Sequence, residues 1–206
     1  MNYKIKRYML RFSLLIIYLG NIFKPSYSQA NYKIIDTRDI EMRLLGSSNI
    51  NNWEMDAETV HGEAQLVFQP LNQKELKEIK SLTFALNIKD MQSNNKRLYK
   101  ILYQPQKDEG NKDVHYKLSS STINKENGGF LIKTNGILTI AGITKATNMD
   151  FYILLNENNT ILCKGSYSLK MLDYKKNLPS FIWENINTAD IITMKFAVIY
   201  KRQKEA

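Results

Sequence analysis

The chain has 206 residues, 43% of them hydrophobic and 24% charged, with a formal net charge of +9 and one cysteine, Cys163. That length holds one domain with a sizeable core and is short for two, and a lone cysteine rules out an internal disulfide. Five of the 29 Lys+Arg and none of the 20 Asp+Glu lie in the first thirty residues, so the remainder carries only +4 and gives little reason to expect nucleic-acid binding.

At the N-terminus Lys4, Lys6, Arg7 and Arg11 precede an apolar run from Phe12 to Phe23, which is interrupted by Gly20 and Asn21 and followed by Pro25. The run is too short for a comfortable membrane span. Basic region, apolar run and small residues in that order predict a signal peptide over residues 1–30, cleaved after Ser28 or after Ala30; an uncleaved anchor is the competing reading. No cysteine near the cleavage region offers a lipoprotein-type lipidation site. Residues 31–206 are therefore expected to be one exported, soluble, periplasmic or extracellular domain.

From residue 40 onward the apolar residues recur with period two, as a strand with one buried face requires. In chain order the rows are Met42 and Leu44; Leu66 and Phe68; Leu82, Phe84, Leu86 and Ile88; and Val114, Tyr116 and Leu118. Then follow Met149, Phe151, Ile153 and Leu155; Ile161, Cys163, Gly165, Tyr167, Leu169 and Met171; and Ile192, Met194, Phe196, Val198 and Tyr200. Polar clusters at Lys125–Gly129 and Asn156–Asn159 punctuate them and favour hairpins over crossover connections. One segment breaks the rhythm: from Asp90 to about Tyr103, Leu98, Ile101 and Leu102 fall on one helical side, and Asp90 or Ser93 is placed to cap a helix. The pattern predicts an all-β domain, an antiparallel sheet of about eight strands with a short helical insertion. Such a sheet either becomes a sandwich or closes into a barrel, and closure also removes exposed edges.

Residues suited to catalysis are sparse. His61 and His115 lie on separate strands without a cysteine or carboxylate at metal-ligand spacing. The serine run Ser119–Ser121 ends a strand and lacks the glycine frame of a nucleophile elbow. Carboxylate pairs such as Asp36 and Asp39 sit in polar sequence, where nothing separates their pKa values as acid–base catalysis requires. Cys163 stands on an apolar strand face and reads as packing. These residues predict a protein that is not an enzyme and that requires no cofactor or metal. The clusters Lys96-Arg97, Lys175-Lys176 and Lys201-Arg202 read as solvated faces, with weak attraction to anionic lipid headgroups as the alternative.

Three segments stand at barrel-like spacing: Gly46-Ser47-Ser48-Asn49 leading to Trp53, Gly136-Ile137-Leu138-Thr139-Ile140-Ala141-Gly142-Ile143-Thr144-Lys145, and Gly165 to Asp173. Together they resemble the signature segments of the YceI-like family, exported lipocalin-like β-barrels that bind polyisoprenoid or quinone-like lipids. The resemblance covers most of the chain after residue 40. It is weaker near the end, where Lys175 stands at a position the family gives to glycine, and where the single Pro179 and Asn187-Thr188-Ala189-Asp190 replace a proline pair and a Gly-Asp turn.

The apolar rows support a filled core and a ligand cavity equally. The resemblance implies the cavity, with an isoprenoid lipid or quinone bound for storage or transport in the cell envelope. The barrel-lining candidates are then Phe84, Leu86, Met149, Phe151, Ile153, Tyr167, Leu169, Met171, Met194, Phe196 and Val198. Phe181 and Trp183, apolar residues before the last strand, are candidates for the mouth or for a transient membrane contact. Trp53 is expected to shut one end of the barrel. The alternative from another class is an exported barrel with a filled interior, acting as a protein-interaction or structural module.

Overall fold

The computed structural model describes residues 28–34, 40–47, 52–70, 72–93, 113–170, 173–174 and 191–204. Eleven strands occur among them: β1 (Ser28–Ile34), β2 (Glu41–Ser47), β3 (Asn52–Ala57), β4 (His61–Gln69), β5 (Asn72–Asn87), β6 (Met91–Gln92), β7 (Asp113–Glu126), β8 (Gly129–Ile140), β9 (Ile143–Leu155), β10 (Thr160–Lys170) and β11 (Ile191–Arg202). The period-two rows set their faces. In β8, Phe130, Ile132, Thr134, Leu138 and Ile140 are buried while Lys133, Asn135 and Thr139 lean outward.

Every pairing is antiparallel, and β1 is hydrogen-bonded on both edges, to β4 and to β11. That double pairing closes a ring of eight strands, β1-β4-β5-β7-β8-β9-β10-β11, so the sheet is a barrel and not a sandwich. β1 covers only the second half of β11, through Tyr200–Arg202; the first half, Thr193–Ala197, pairs with β2. β2 carries β3 and then β6 outward as a flap on the ring. Three joints of the ring are short: β1 meets β11 through three residue pairs, β5 meets β7 only through Thr83–Asn87 and Asp113–Lys117, and β9 meets β10 only through Phe151–Leu155 and Ile161–Gly165.

Turn chemistry fixes the register of the long hairpins. Asn127 and Gly128, between β7 and β8, both have positive φ (47° and 78°), the two-residue turn whose twist matches paired strands. Ala141 and Gly142 repeat it between β8 and β9 (50° and 80°), with the alanine in a left-handed conformation that glycine or asparagine adopts more easily.

The structure corrects two sequence expectations. Asp90–Ser93 do not begin a helix: Ile88–Asp90 form a single 3-10 turn, and Met91–Gln92 pair with Asp56 and Ala57 as β6. Burial decides this, because Met91 is fully enclosed, and Ser93 donates its hydroxyl to the Glu54 carbonyl. The rest of that segment lies outside the described residues. Ser119–Ser121 do not end a strand but lie within β7, at the register shift between Leu118 and Ser120. β1 also takes in Ser28, Gln29 and Ala30, the last residues of the segment assigned to the leader, with Ala30 buried opposite Leu66.

Two glycines hold aromatic rings flat against the wall. Trp53 of β3 lies on Gly46 of β2, its cross-strand neighbour, where a Cβ would overlap the indole. A Cβ at Gly136 would stand 2.5 Å from the ring of Tyr116. Gly136→Ala is therefore expected to displace Tyr116 and lower stability by about 1–3 kcal/mol, the usual cost of overpacking, without changing the barrel. Chemical denaturation checks it, and an unchanged midpoint contradicts the packing described.

Candidate functional site

The inward rows of six of the ring strands and of β2 converge on one interior void. Leu82 and Phe84 reach it from β5, Val114 and Tyr116 from β7, and Leu138 from β8. Met149 and Phe151 come from β9, Cys163 from β10, and Met194, Phe196, Val198 and Tyr200 from β11. Met42 contributes from the flap strand β2. The void is small. The centre of a water-sized sphere can range over only about 30 Å³, room for roughly two waters.

The polar atoms near this void are turned toward protein partners. Tyr116 donates its hydroxyl to Thr134 Oγ1 at 2.7 Å, and Thr134 donates in turn to the Met149 carbonyl. Tyr200 donates to the Thr83 carbonyl at 3.3 Å. Burial drives each ionisable group toward its neutral form: the Cys163 thiol is pushed up to about 12, and the Tyr116 and Tyr200 phenols are raised above their ordinary value. A neutral, 3% exposed thiol with no basic partner is inert packing, as its strand position suggested. The interior can therefore offer a guest dispersion contact and removal from water, and little else.

Of the barrel-lining candidates, Phe84, Met149, Phe151, Met194, Phe196 and Val198 border the void. Leu86, Ile153 and Leu169 are buried in the core away from it, and Tyr167 is half-buried on β10. Met171, Phe181 and Trp183 lie outside the described residues. Sequence reasoning left Met42, Leu82, Val114, Tyr116, Leu138, Cys163 and Tyr200 out of the site, although all but Leu138 stand in the apolar rows. For Tyr116 and Tyr200 a signal lies across the strands, where a glycine leaves room for the ring or its hydroxyl: Gly136 for Tyr116 and Gly62 for Tyr200.

Chemistry outside the barrel is dispersed. His61 and His115 are both exposed and flank Ala85 on the outer face, one strand to each side, with His115 Nε2 3.6 Å from Asp113. Among the described residues no three His, Cys, Asp or Glu side chains come together as metal ligands would. A larger outer hollow of about 720 Å³ beside β10, β11 and β2 is walled by Arg43, Asp56, Lys164 and Lys195, with Arg43 Nε held by Asp56 at 2.7 Å. Trp53 is 8% exposed, and its indole N–H meets no acceptor among the described residues.

The sequence matches no protein-family model, and no curated protein matches it. Solved structures do match. BcnA of Burkholderia cenocepacia is 13% identical, with 80% of this chain and 98% of that one covered and a TM-score of 0.60. A polyisoprenoid-binding domain from Saccharophagus degradans, implicated in plant cell wall breakdown, is 7% identical over 85% of this chain and 100% of that one, with a TM-score of 0.61. A YceI protein of Campylobacter jejuni is 20% identical over 73% of this chain and 85% of that one, with a TM-score of 0.49. The closed eight-stranded ring, with the Burkholderia and Saccharophagus structures beside it, gives the chain the YceI-like barrel fold that the segments at Gly46, Gly136 and Gly165 implied.

Proposed function

We propose that this barrel binds an amphiphilic lipid with its hydrocarbon chain in the interior, without catalysis. The observation that carries the reading is the composition of the void: thioethers and aromatic rings line it, while the neighbouring hydroxyls face protein acceptors. A guest chain gains about 25 cal/mol for each Å² of apolar surface it withdraws from water and needs no polar contact inside. The Saccharophagus domain of the same fold, which binds polyisoprenoid, supports a long isoprenoid chain as the guest, and a quinone-like head on such a chain fits the same interior. Because the void is small, binding requires side chains to swing aside. Met42, Met149 and Met194 are suited to this, since methionine repacks with little cost.

The role that follows is storage or transport of the lipid in the cell envelope, with transient contact at a membrane surface during exchange. Export is part of the same proposal. Cleavage after Ser28 leaves Gln29 and Ala30 in β1, whereas cleavage after Ala30 removes a buried residue paired with Leu66. The mature chain is accordingly expected to begin at Gln29. Mass spectrometry of the exported protein tests this, and recovery of a chain that still carries Met1 contradicts export by cleavage.

The size of the void favours one other reading, a barrel with a filled core that acts through its outer surface. Two truncations separate the readings. Phe151 is 3% exposed, so Phe151→Ala lowers stability by about 3–5 kcal/mol under either. Phe196 is half-buried over Gly165 and borders the void, so Phe196→Ala is expected to cost the lipid-free protein only about 1 kcal/mol, while reducing stabilisation by a long-chain isoprenoid alcohol. Thermal unfolding with and without that alcohol provides the measurement. If the alcohol leaves the Tm of the wild type unchanged, the filled barrel is the correct reading.

A further inference from the structure

The two joints of the ring that rest on five residue pairs each, β5 with β7 and β9 with β10, differ in what lies behind them. Between β5 and β7 the gap is flanked by Leu76 and Ile79, which are buried away from the void, and Lys125 bridges its end to Glu75 at 2.6 Å. Between β9 and β10 the gap lies against the void. Among the described residues, Ile143–Asp150 pair only with β8, and Ser166–Lys170 only with β11. Met149 and Phe151 stand on one lip, Gly165 and Tyr167 on the other, and the void reaches Met149, Phe151 and, next to Gly165, Phe196.

A side chain occupies this gap where backbone pairing is missing. Tyr174, from the short turn Asp173–Tyr174 after β10, is 3% exposed. It hydrogen-bonds Thr147 of β9 and lies close enough to Tyr167 of β10 for the two phenols to influence each other's ionisation. Lys145 of β9 closes the outer end, with Nζ 2.9 Å from Asp173 Oδ1 and 5.9 Å from the centre of the Tyr174 ring. Elsewhere beside the void the strands are joined by backbone hydrogen bonds, and at the three-pair joint of β1 with β11 the flap strand β2 pairs with the first half of β11. Here the closure among the described residues consists of one phenol and one ion pair, with the side chains of Lys145 and Asp173 40% and 49% exposed, and exposed ion pairs hold weakly.

We propose that the gap between β9 and β10 is where a long apolar chain enters and leaves the barrel, with Tyr174 as the plug and the Lys145–Asp173 pair as its latch. This role rests on the lipid-binding reading above. Entry through the side of the wall lets an extended chain pass into the void by displacing one ring, without breaking the hydrogen-bonded ladder of the ring. Tyr174 is therefore a positioning residue for exchange, not a contact that sets affinity.

The test uses Tyr174→Phe and Asp173→Asn in the full exported chain, with cis-parinaric acid as the fluorescent long-chain probe. Stopped-flow uptake and release into phosphatidylcholine vesicles should both accelerate, by roughly fivefold to tenfold in Tyr174→Phe, the effect of losing one buried hydrogen bond, and by about twofold to threefold in Asp173→Asn, the effect of losing an exposed ion pair, while the equilibrium affinity stays within about twofold. Cys163, the chain's one thiol, lies beside the void and reports opening without lipid: its alkylation by N-ethylmaleimide should accelerate in the same variants. Unchanged exchange and unchanged alkylation in both variants overturn the entry role and leave the lipid reading standing. A weaker affinity with unaltered uptake also overturns it, since Tyr174 is then a contact. If the wild type takes up no probe, the lipid reading falls, and the entry role with it.

Discussion

The double pairing of β1, with β4 on one edge and β11 on the other, is the constraint on which the rest of this structure depends. Closing the sheet forces eight apolar rows to share one interior whose width is set by strand number, so every large side chain must be accommodated against the opposite wall. Glycine supplies the room. Tyr116 lies over Gly136, Phe196 over Gly165, and the hydroxyl of Tyr200 over Gly62, so rings occupy space that Cβ atoms would have filled. Only a narrow apolar void is left between them.

That void and the unevenness of the ring belong together. Pairing is continuous where β7, β8 and β9 are joined by two-residue turns, because a tight turn fixes register from its first residue. It is broken between β9 and β10 on the side away from their connecting turn, where the strands diverge and side chains take over. A wall that is strong in backbone hydrogen bonds yet closed at one place by side chains can admit a guest without unfolding, since local opening there costs less than separating paired strands. The flexible thioethers of Met42, Met149 and Met194 make the same allowance inside.

Much of this was legible in the sequence because strand faces are set by nearest-neighbour alternation. The rows at Met149–Leu155 and Ile192–Tyr200 appear in the structure as written, and Phe151, Met194 and Phe196 meet as their spacing required. The void itself was less legible. Whether an inward residue lines it or lies in packed core depends on what stands across the ring, so Ile153 and Leu169 joined the core while Tyr116 and Tyr200 reached the centre. The helix expected from Asp90 to about Tyr103 does not start at Asp90, because Met91 is enclosed beside Ala57, a contact over a long sequence separation, while its apolar residues Leu98, Ile101 and Leu102 lie outside the described residues. Tyr174 could not be recognised as a plug from sequence, since the gap it fills is a loss of register between two other strands.

The central claim is that the interior exists to hold a hydrocarbon chain. Its most direct test is mass spectrometry of the intact protein, purified from the exported fraction without detergent and sprayed under native conditions, followed by analysis of its organic extract. The account predicts an adduct of about one amphiphile per chain, long and largely hydrocarbon, that disappears on denaturation and is recovered in the extract. A bare mass in the native spectrum, unchanged after incubation with a long-chain isoprenoid, would contradict it.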